Sequence, residues 1–224
     1  MTARAHCNCR FGLHNAFVLT EEVIDTRFTS KDERNQGSQG SAVACYKVGR
    51  HQLCKVNRMQ KIIDVQIGEV SVGQGEVILQ SKAIGSCIAI VAYDATKNIG
   101  ALAHVMLPGR APAKKATERI KYASDAIDVM VKKMTDLGSK SEDIKVVLVG
   151  GGNVLNRKDD TICQDNIEST LEFLGEKGLK VMAQAVGGIN RRSVSVSVES
   201  GKIFYAEGDG KEKVLWEAKK RYEE

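Results

Sequence analysis

The chain has 224 residues, of which 42% are hydrophobic and 5% aromatic, and it carries a net charge of +5. This length allows one ordinary domain plus an appendage. The charge is concentrated in residues 1–60, with nine basic against five acidic side chains, whereas the rest holds 24 against 23. A nearly neutral folded part with few aromatic residues argues against nucleic acid as a partner. No segment approaches the roughly 18 apolar residues of a membrane span, so membrane insertion is not expected.

Residues 1–60 differ in character from the rest of the chain. Residues 29–41 are polar, which is typical of disorder. We interpret residues 1–60 as a disordered extension. The alternative is that they result from translation at a start codon upstream of the natural one, with Met59 as the true start. Residues 17–19 are too short an apolar run for a secretory signal. We therefore expect a cytoplasmic protein whose cysteines are mostly thiols, with residues 61–224 as the working domain.

The extension holds four of the six cysteines, which raises the question of a metal site. Cys7 and Cys9 would bind zinc together with His6 or His14. A Cys-x-Cys without a second well-spaced pair is a weak zinc signal. We therefore expect no metal and no organic cofactor.

Regular patterning begins at residue 61. Residues 64–72 and 76–80 predict short strands. Residues 88–92 are short, apolar and partly β-branched, which predicts a buried strand. Residues 94–98 form a polar turn, and residues 99–107 predict the return strand. Because the two strands of a hairpin are antiparallel, the start of the first lies beside the end of the second.

Cys87 and His104 occupy those two places in the predicted hairpin. From residue 61 onward His104 is the only histidine, and Cys163 is the only other cysteine. An imidazole can take the thiol proton and make the sulfur a nucleophile, and such a thiol should alkylate faster than an ordinary one. Backbone N–H groups at Ser86 and Cys87 would face a developing oxyanion. The alternative is a small buried cysteine and a hydrogen-bonded histidine with no chemistry.

The remaining elements predict an α+β fold, with two main helices packed on a mixed, largely antiparallel sheet. Gly150-Gly151-Gly152-Asn153 lacks a phosphate-binding pattern, so these glycines are expected to let the backbone pass close to the active-site layer. A residue near Asp165 is expected to cap the second helix. The predicted elements are a helix over 117–137, a central strand over 144–149, a helix after 165, strands over 179–186, 193–198 and 203–206, and a charged terminal helix over 211–224.

Several fixed spacings at once resemble the CheD family, the chemoreceptor glutamine deamidases of bacterial and archaeal chemotaxis. The match consists of Gly85-Ser86-Cys87, Asp94 and Ala103-His104-Val105-Met106-Leu107-Pro108. Weaker similarity covers about residues 62–206. The resemblance implies a layered α/β/α sandwich. Two segments depart from the family pattern: Ile162-Cys163-Gln164-Asp165-Asn166 replaces Ile-Gly-x-Arg-Asn, and Arg191-Arg192 replaces a Gly-Arg pair.

The resemblance also implies the chemistry and the partners. The family completes a Cys-His-Thr triad with a threonine six residues before the cysteine, and this chain has Ser81 there. Cys87 would then attack a glutamine side-chain amide, His104 would move the protons, and Ser81 would orient the imidazole. The implied partners are the helical cytoplasmic part of a methyl-accepting receptor and a CheC-type phosphatase. The alternatives are a non-catalytic module that binds the receptor or CheC, and a thiol protease using the same dyad.

Overall fold

The computed structural model describes residues 60–159 and 161–219, and within these residues it contains two five-stranded sheets and two α-helices. The extension over 1–59, with its candidate zinc ligands and Met59, lies outside the described residues. No described helix has both the length and the apolar character needed to cross a membrane.

The first sheet carries the predicted hairpin at its centre, and we refer to it as the hairpin sheet. Its neighbouring strands are antiparallel except for one parallel pair at the end. The two hairpin strands are buried along their whole length, which explains their continuous apolar sequence. In spatial order the strands are β2 (Val70–Gln74), β5 (Ile99–Val105), β4 (Ile88–Asp94), β6 (Ile144–Gly150) and β7 (Lys180–Val186).

The second sheet is also largely antiparallel, with one parallel pair at its edge. The strictly alternating residues around 193–198 lie at its centre. Its strands, in spatial order, are β1 (Lys61–Asp64), β3 (Val77–Ile84), β8 (Arg192–Ser197), β9 (Lys202–Glu207) and β10 (Lys213–Glu217). The predicted strand over 64–72 is not continuous: Asp64 ends β1, residues 65–69 form no strand, and Val70 begins β2 in the other sheet.

The helix predicted over 117–137 is interrupted near its start. A 3₁₀ helix over Ala113–Lys121 ends at Tyr122, whose backbone is extended, and α1 then runs over Ala123–Asp136. Leu107 causes the break, because its N–H donates to the Lys121 carbonyl at 2.8 Å and its carbonyl accepts from the Ala123 N–H at 3.0 Å. The second helix, α2, spans Ile162–Glu176. Its N-cap is Thr161, and Asp165 lies within the first turn.

The layer order differs from the predicted α/β/α sandwich. Alternate residues of β4 face opposite sides: Ile88, Ile90 and Ala92 pack toward α1 and α2, whereas Ala89, Val91 and Tyr93 pack against the second sheet. The helices therefore cover one face of the hairpin sheet and the second sheet covers the other. The α+β class, the largely antiparallel sheets and the two main helices are confirmed; the second helical layer is replaced by a sheet.

The prediction of a terminal helix over 211–224 is wrong for the described part of that segment. Residues 213–217 form β10, paired antiparallel with β9. Leu215 and Trp216 pack against the core between the two sheets, and the Trp216 ring meets Tyr93 edge-on at 6.4 Å between centroids. Burial of a large aromatic side chain outweighs the weak helical pattern of this charged stretch.

Candidate active site

Cys87 and His104 project from the same end and the same face of the hairpin. β4 and β5 pair antiparallel over seven residue pairs, with Ala89 opposite His104 and Ile88 opposite Val105. Residues opposite each other in a sheet share a face, so His104 lies on the Ala89 side, toward the second sheet. Cys87, two residues before Ala89, packs against that same inter-sheet core. The predicted hairpin is therefore confirmed, and it makes thiol and imidazole diagonal neighbours.

Ser81 reaches His104 from the second sheet. Its hydroxyl oxygen lies 2.8 Å from His104 Nδ1 and 2.9 Å from the Val65 carbonyl oxygen. Both side chains are buried, with 2% and 4% of their surface exposed. The Ser81 hydroxyl has one proton and can donate to only one of these two atoms. Donation to Val65, with the Ser81 oxygen accepting from Nδ1–H, is the arrangement that satisfies all three groups, and it favours the tautomer with the ring proton on Nδ1.

That tautomer leaves the lone pair of His104 on Nε2. Nε2 is buried and has no hydrogen-bond partner among the described residues. A buried polar atom is normally paired, and unpaired ones require an explanation. A general base awaiting its proton donor is such an explanation, since an imidazole needs a free lone pair to take a proton.

Burial favours the uncharged forms of Cys87 and His104. It raises the pKa of the Cys87 thiol above 9.0; the nearby Cys163 adds to the increase, and the Cys87 backbone N–H partly opposes it. Burial also lowers the pKa of His104 below 6.5, although the Val65 carbonyl opposes this shift. That Cys87 alkylates faster than an ordinary thiol stays a prediction, and burial of the sulfur works against it. Both shifts favour a thiol and a neutral imidazole over a thiolate and an imidazolium.

The carbonyl groups of the Gly85-Ser86-Cys87 turn all accept hydrogen bonds, from the loop that follows β6 and from α2. The Gly152 N–H donates to Gly85 at 2.8 Å, and the Gly151 N–H donates to Cys87 at 2.8 Å. The Asn166 side chain of α2 donates to Ser86 at 2.9 Å.

The triple glycine lets its backbone approach the cysteine turn this closely. Gly150 has φ +126°, and a side chain there would collide with the Cys87 carbonyl. Gly151 has φ +62°, and its added Cβ would lie 2.6 Å from Ile167. Only glycine fits both conformation and space at these positions. The glycines therefore serve close backbone packing beside the site, as predicted.

Comparison with known proteins identifies the family of this chain. A family model described as "CheD chemotactic sensory transduction" matches residues 106–207. A probable chemoreceptor glutamine deamidase CheD from Chlorobium luteolum is 36% identical over 151 residues, covering 67% of this chain and 75% of that protein. One from Clostridium botulinum is 32% identical over 148 residues, covering 64% of this chain and 91% of that protein. The chain belongs to the CheD family.

A solved structure, hypothetical protein YfiH of Bacillus licheniformis, is 14% identical to this CheD-family chain and covers 59% of it and 61% of the other chain. Its TM-score of 0.33 is too low to support any argument about fold or function.

The structure adds two side chains that the sequence did not single out as site residues. Asn166 holds the cysteine turn from α2. Arg192, 7% exposed, donates to the carbonyl groups of Gly187 at 2.6 Å and Gly150 at 3.3 Å, and its guanidinium pairs with Glu207 at 2.9 Å. Arg192 therefore fixes the end of β6 behind the site. The sequence signal for both was their match to the family pattern: Asn166 stands where Ile-Gly-x-Arg-Asn ends in asparagine, and Arg192 stands where the Gly-Arg pair has its arginine.

Proposed function

We propose that this CheD-family protein converts glutamine side chains of methyl-accepting chemotaxis receptors to glutamate and releases ammonia. One observation carries the proposal: Ser81 bonds His104 Nδ1, which leaves a buried, unpaired Nε2 on the face and at the hairpin end where Cys87 lies. The names of the relatives, probable chemoreceptor glutamine deamidases, support the substrate.

The proposed reaction proceeds through a thioester. Cys87 Sγ attacks the amide carbon while His104 Nε2 takes the thiol proton. The tetrahedral intermediate then expels ammonia, which receives that proton from Nε2–H. Water attacks the thioester with Nε2 again as base, and the glutamate product leaves as Cys87 recovers its proton. The N–H groups of Ser86 and Cys87 are the proposed donors to the oxyanion.

The chain's own groups are sufficient for every proposed step, so the proposal requires no metal or organic cofactor. The proposed partners follow the family resemblance: the helical cytoplasmic part of a methyl-accepting receptor, which presents the glutamines, and a CheC-type phosphatase. The product carboxylates would be available for esterification by a methyltransferase, which connects the activity to chemotactic adaptation.

The first prediction assigns the nucleophile. Cys87→Ala should abolish ammonia release and leave the fold intact, because alanine is smaller than cysteine and fits the half-buried site. Cys163→Ala, the matched control in α2, should retain most activity. Intact mass spectrometry of a receptor cytoplasmic domain, with and without each variant, measures the exchange of NH2 for OH. An active Cys87→Ala with an inactive Cys163→Ala would refute the assignment.

The same experiment separates the rival functions. A binding module would retain the receptor without changing its mass, and a protease would cleave its backbone. Either result obtained with the wild-type protein and a genuine partner receptor would contradict deamidation.

A further inference from the structure

We propose that Asn166 is a positioning residue: its side-chain amide holds the Ser86–Cys87 peptide so that the Cys87 N–H faces the sulfur and the developing oxyanion. This inference deepens the proposed function and rests on it for the identity of the oxyanion. The hydrogen-bond geometry that supports it belongs to the described residues themselves.

The Asn166 amide bridges the segments that carry the two reacting groups. Its Nδ2 lies 2.9 Å from the Ser86 carbonyl oxygen and 3.0 Å from the Met106 carbonyl oxygen. Ser86 precedes the nucleophile, and Met106 follows His104 by two residues. Both partners are carbonyl groups, which only accept, so the atom facing them must be the nitrogen and the orientation of the amide is determined. Asn166 is fully buried, so water does not compete for these bonds.

The bond to Ser86 sets the direction of the next N–H group. The described residues contain no cis peptide, and in a trans peptide the C=O and the following N–H point in opposite directions. With the Ser86 carbonyl held toward α2, the Cys87 N–H points away from α2. The Cys87 N–H lowers the pKa of the Cys87 thiol and so favours the thiolate. The same donor then faces the oxygen of a substrate amide bonded to that sulfur.

Asn166 is the only side chain among the three groups that hold the turn. The carbonyl groups of Gly85 and Cys87 are held by backbone N–H groups of Gly152 and Gly151, which substitution cannot remove. The bond from Asn166 to Ser86 can be removed by mutation. Its Oδ1 is buried without a hydrogen-bond partner in the described part of the chain. A residue retained only for stability would be expected to use both of its polar atoms.

The test measures alkylation of Cys87 by iodoacetamide in the full-length chain, resolved from the other cysteines by peptide mass spectrometry. Asn166→Leu keeps the approximate shape and removes the donor. It should slow alkylation about tenfold between pH 6 and pH 9, since one pKa unit changes the thiolate fraction tenfold. Ser169→Ala is the matched control, because Ser169 also lies on α2 and bonds the Gly109 N–H at 2.7 Å but does not contact the cysteine turn.

Asn166→Asp provides a test within one folded protein. As a carboxylate it would repel the two carbonyl oxygens, so at pH 9 its rate should be as low as that of Asn166→Leu. As the pH falls, this carboxyl takes up a proton and can donate to Ser86 again. The alkylation rate of Asn166→Asp relative to wild type should then recover as the pH falls. The relative rate of Asn166→Leu should not change with pH. His104 and Cys163 titrate in every variant, so their contribution cancels in these ratios.

Rates within twofold of wild type for both Asn166 variants at every pH would overturn the inference, as would an equal loss in Ser169→Ala. Alkylation needs no glutamine substrate, so it judges Asn166 separately from the deamidase proposal. Where deamidation is measured, Asn166→Leu should lower kcat and leave KM nearly unchanged, because the receptor does not contact a buried amide. An inactive wild type with the predicted alkylation pattern would refute the proposed function and leave the role of Asn166 standing.

Discussion

The direction of the Ser81 hydroxyl proton decides which nitrogen of His104 keeps a free lone pair. Because that proton donates to the Val65 carbonyl, the serine oxygen accepts from Nδ1–H and the lone pair remains on Nε2. A serine does this with more rotamer freedom than the threonine of the family, whose side chain is β-branched. The hydroxyl, and not the missing methyl group, is therefore the part of the side chain on which the tautomer depends.

We expect Ser81→Ala to lower turnover by roughly ten- to a thousandfold, the range for a misplaced general base, and Ser81→Thr to keep or modestly raise it. Without the hydroxyl, neither the ring orientation nor the tautomer is held. The measurement is ammonia release at saturating receptor substrate. Ser195→Ala, at another buried serine of the second sheet, is the control and should be near wild type. A Ser81→Ala rate within about twofold of wild type would reduce the triad to a Cys87–His104 dyad.

The pH dependence should reflect the neutral resting pair. Burial lowers the pKa of His104 below 6.5, so the imidazole stays unprotonated and able to accept a proton down to a lower pH than usual. Activity should fall as the pH drops through this lowered pKa, because imidazolium has no lone pair. The pH profile of kcat/KM should thus have an acid limb with its midpoint below 6.5. An acid limb with its midpoint above 6.5 would contradict the lowered pKa of His104.

At the scale of elements, a bulge in β3 lies between Ser81 and the cysteine turn. The pairing of β3 with β8 shifts between Ser81 and Ile84, and Ala83 in the bulge has φ +56°. The extra residue changes which side chains face inward, so both Ser81 and Ile84 are buried although they are three positions apart. The bulge thereby allows one strand to present a hydroxyl to His104 and still enter the core before the turn.

Ala83→Gly should leave the free energy of unfolding unchanged or raise it by up to about 1 kcal/mol. Glycine removes the cost of holding alanine in the left-handed backbone conformation, but it increases the conformational entropy of the unfolded chain. Chemical denaturation measures the effect. Ala116→Gly is the control: Ala116 is also exposed, but it lies in the 3₁₀ helix outside the left-handed region, and the change there should cost about 0.5–1 kcal/mol. Equal destabilisation by both substitutions would show that the bulge conformation carries no strain.

Elements with strong local patterns were the ones that the sequence predicted correctly. The hairpin had two apolar runs on either side of a polar turn, so its strands and their pairing followed from local information. The segment around 213–217 had only a faint apolar stripe among charged residues. Its strand state comes from Trp216 packing on Tyr93, more than a hundred residues earlier in the chain, and no local pattern contains that contact.

At the scale of the whole molecule, the layer order depends on long-range pairing that alternation cannot predict. Alternation around 193–198 indicates one buried face, which is equally true of a strand in the hairpin sheet or in a second sheet. Asn166 shows the same limit at the site, because its partner Ser86 lies 80 positions away. The predicted hairpin and the family spacing allowed Cys87, His104 and Ser81 to be named from the sequence. Asn166 also matches a position of the family pattern, but its contact with the cysteine turn could not be predicted.

The β4–β5 hairpin places the candidate active site at one end and an exposed turn at the other. β4 is paired without interruption to β5 on one side and β6 on the other, and its two ends lie a full strand apart. Thr96, Lys97 and Asn98 are exposed at the closed end, whereas Cys87 and His104 lie at the open end. A fluorophore or a surface tether attached at Lys97 would therefore leave the reactive edge unobstructed, which makes the turn a handle for immobilising the protein while receptor fragments are presented to it.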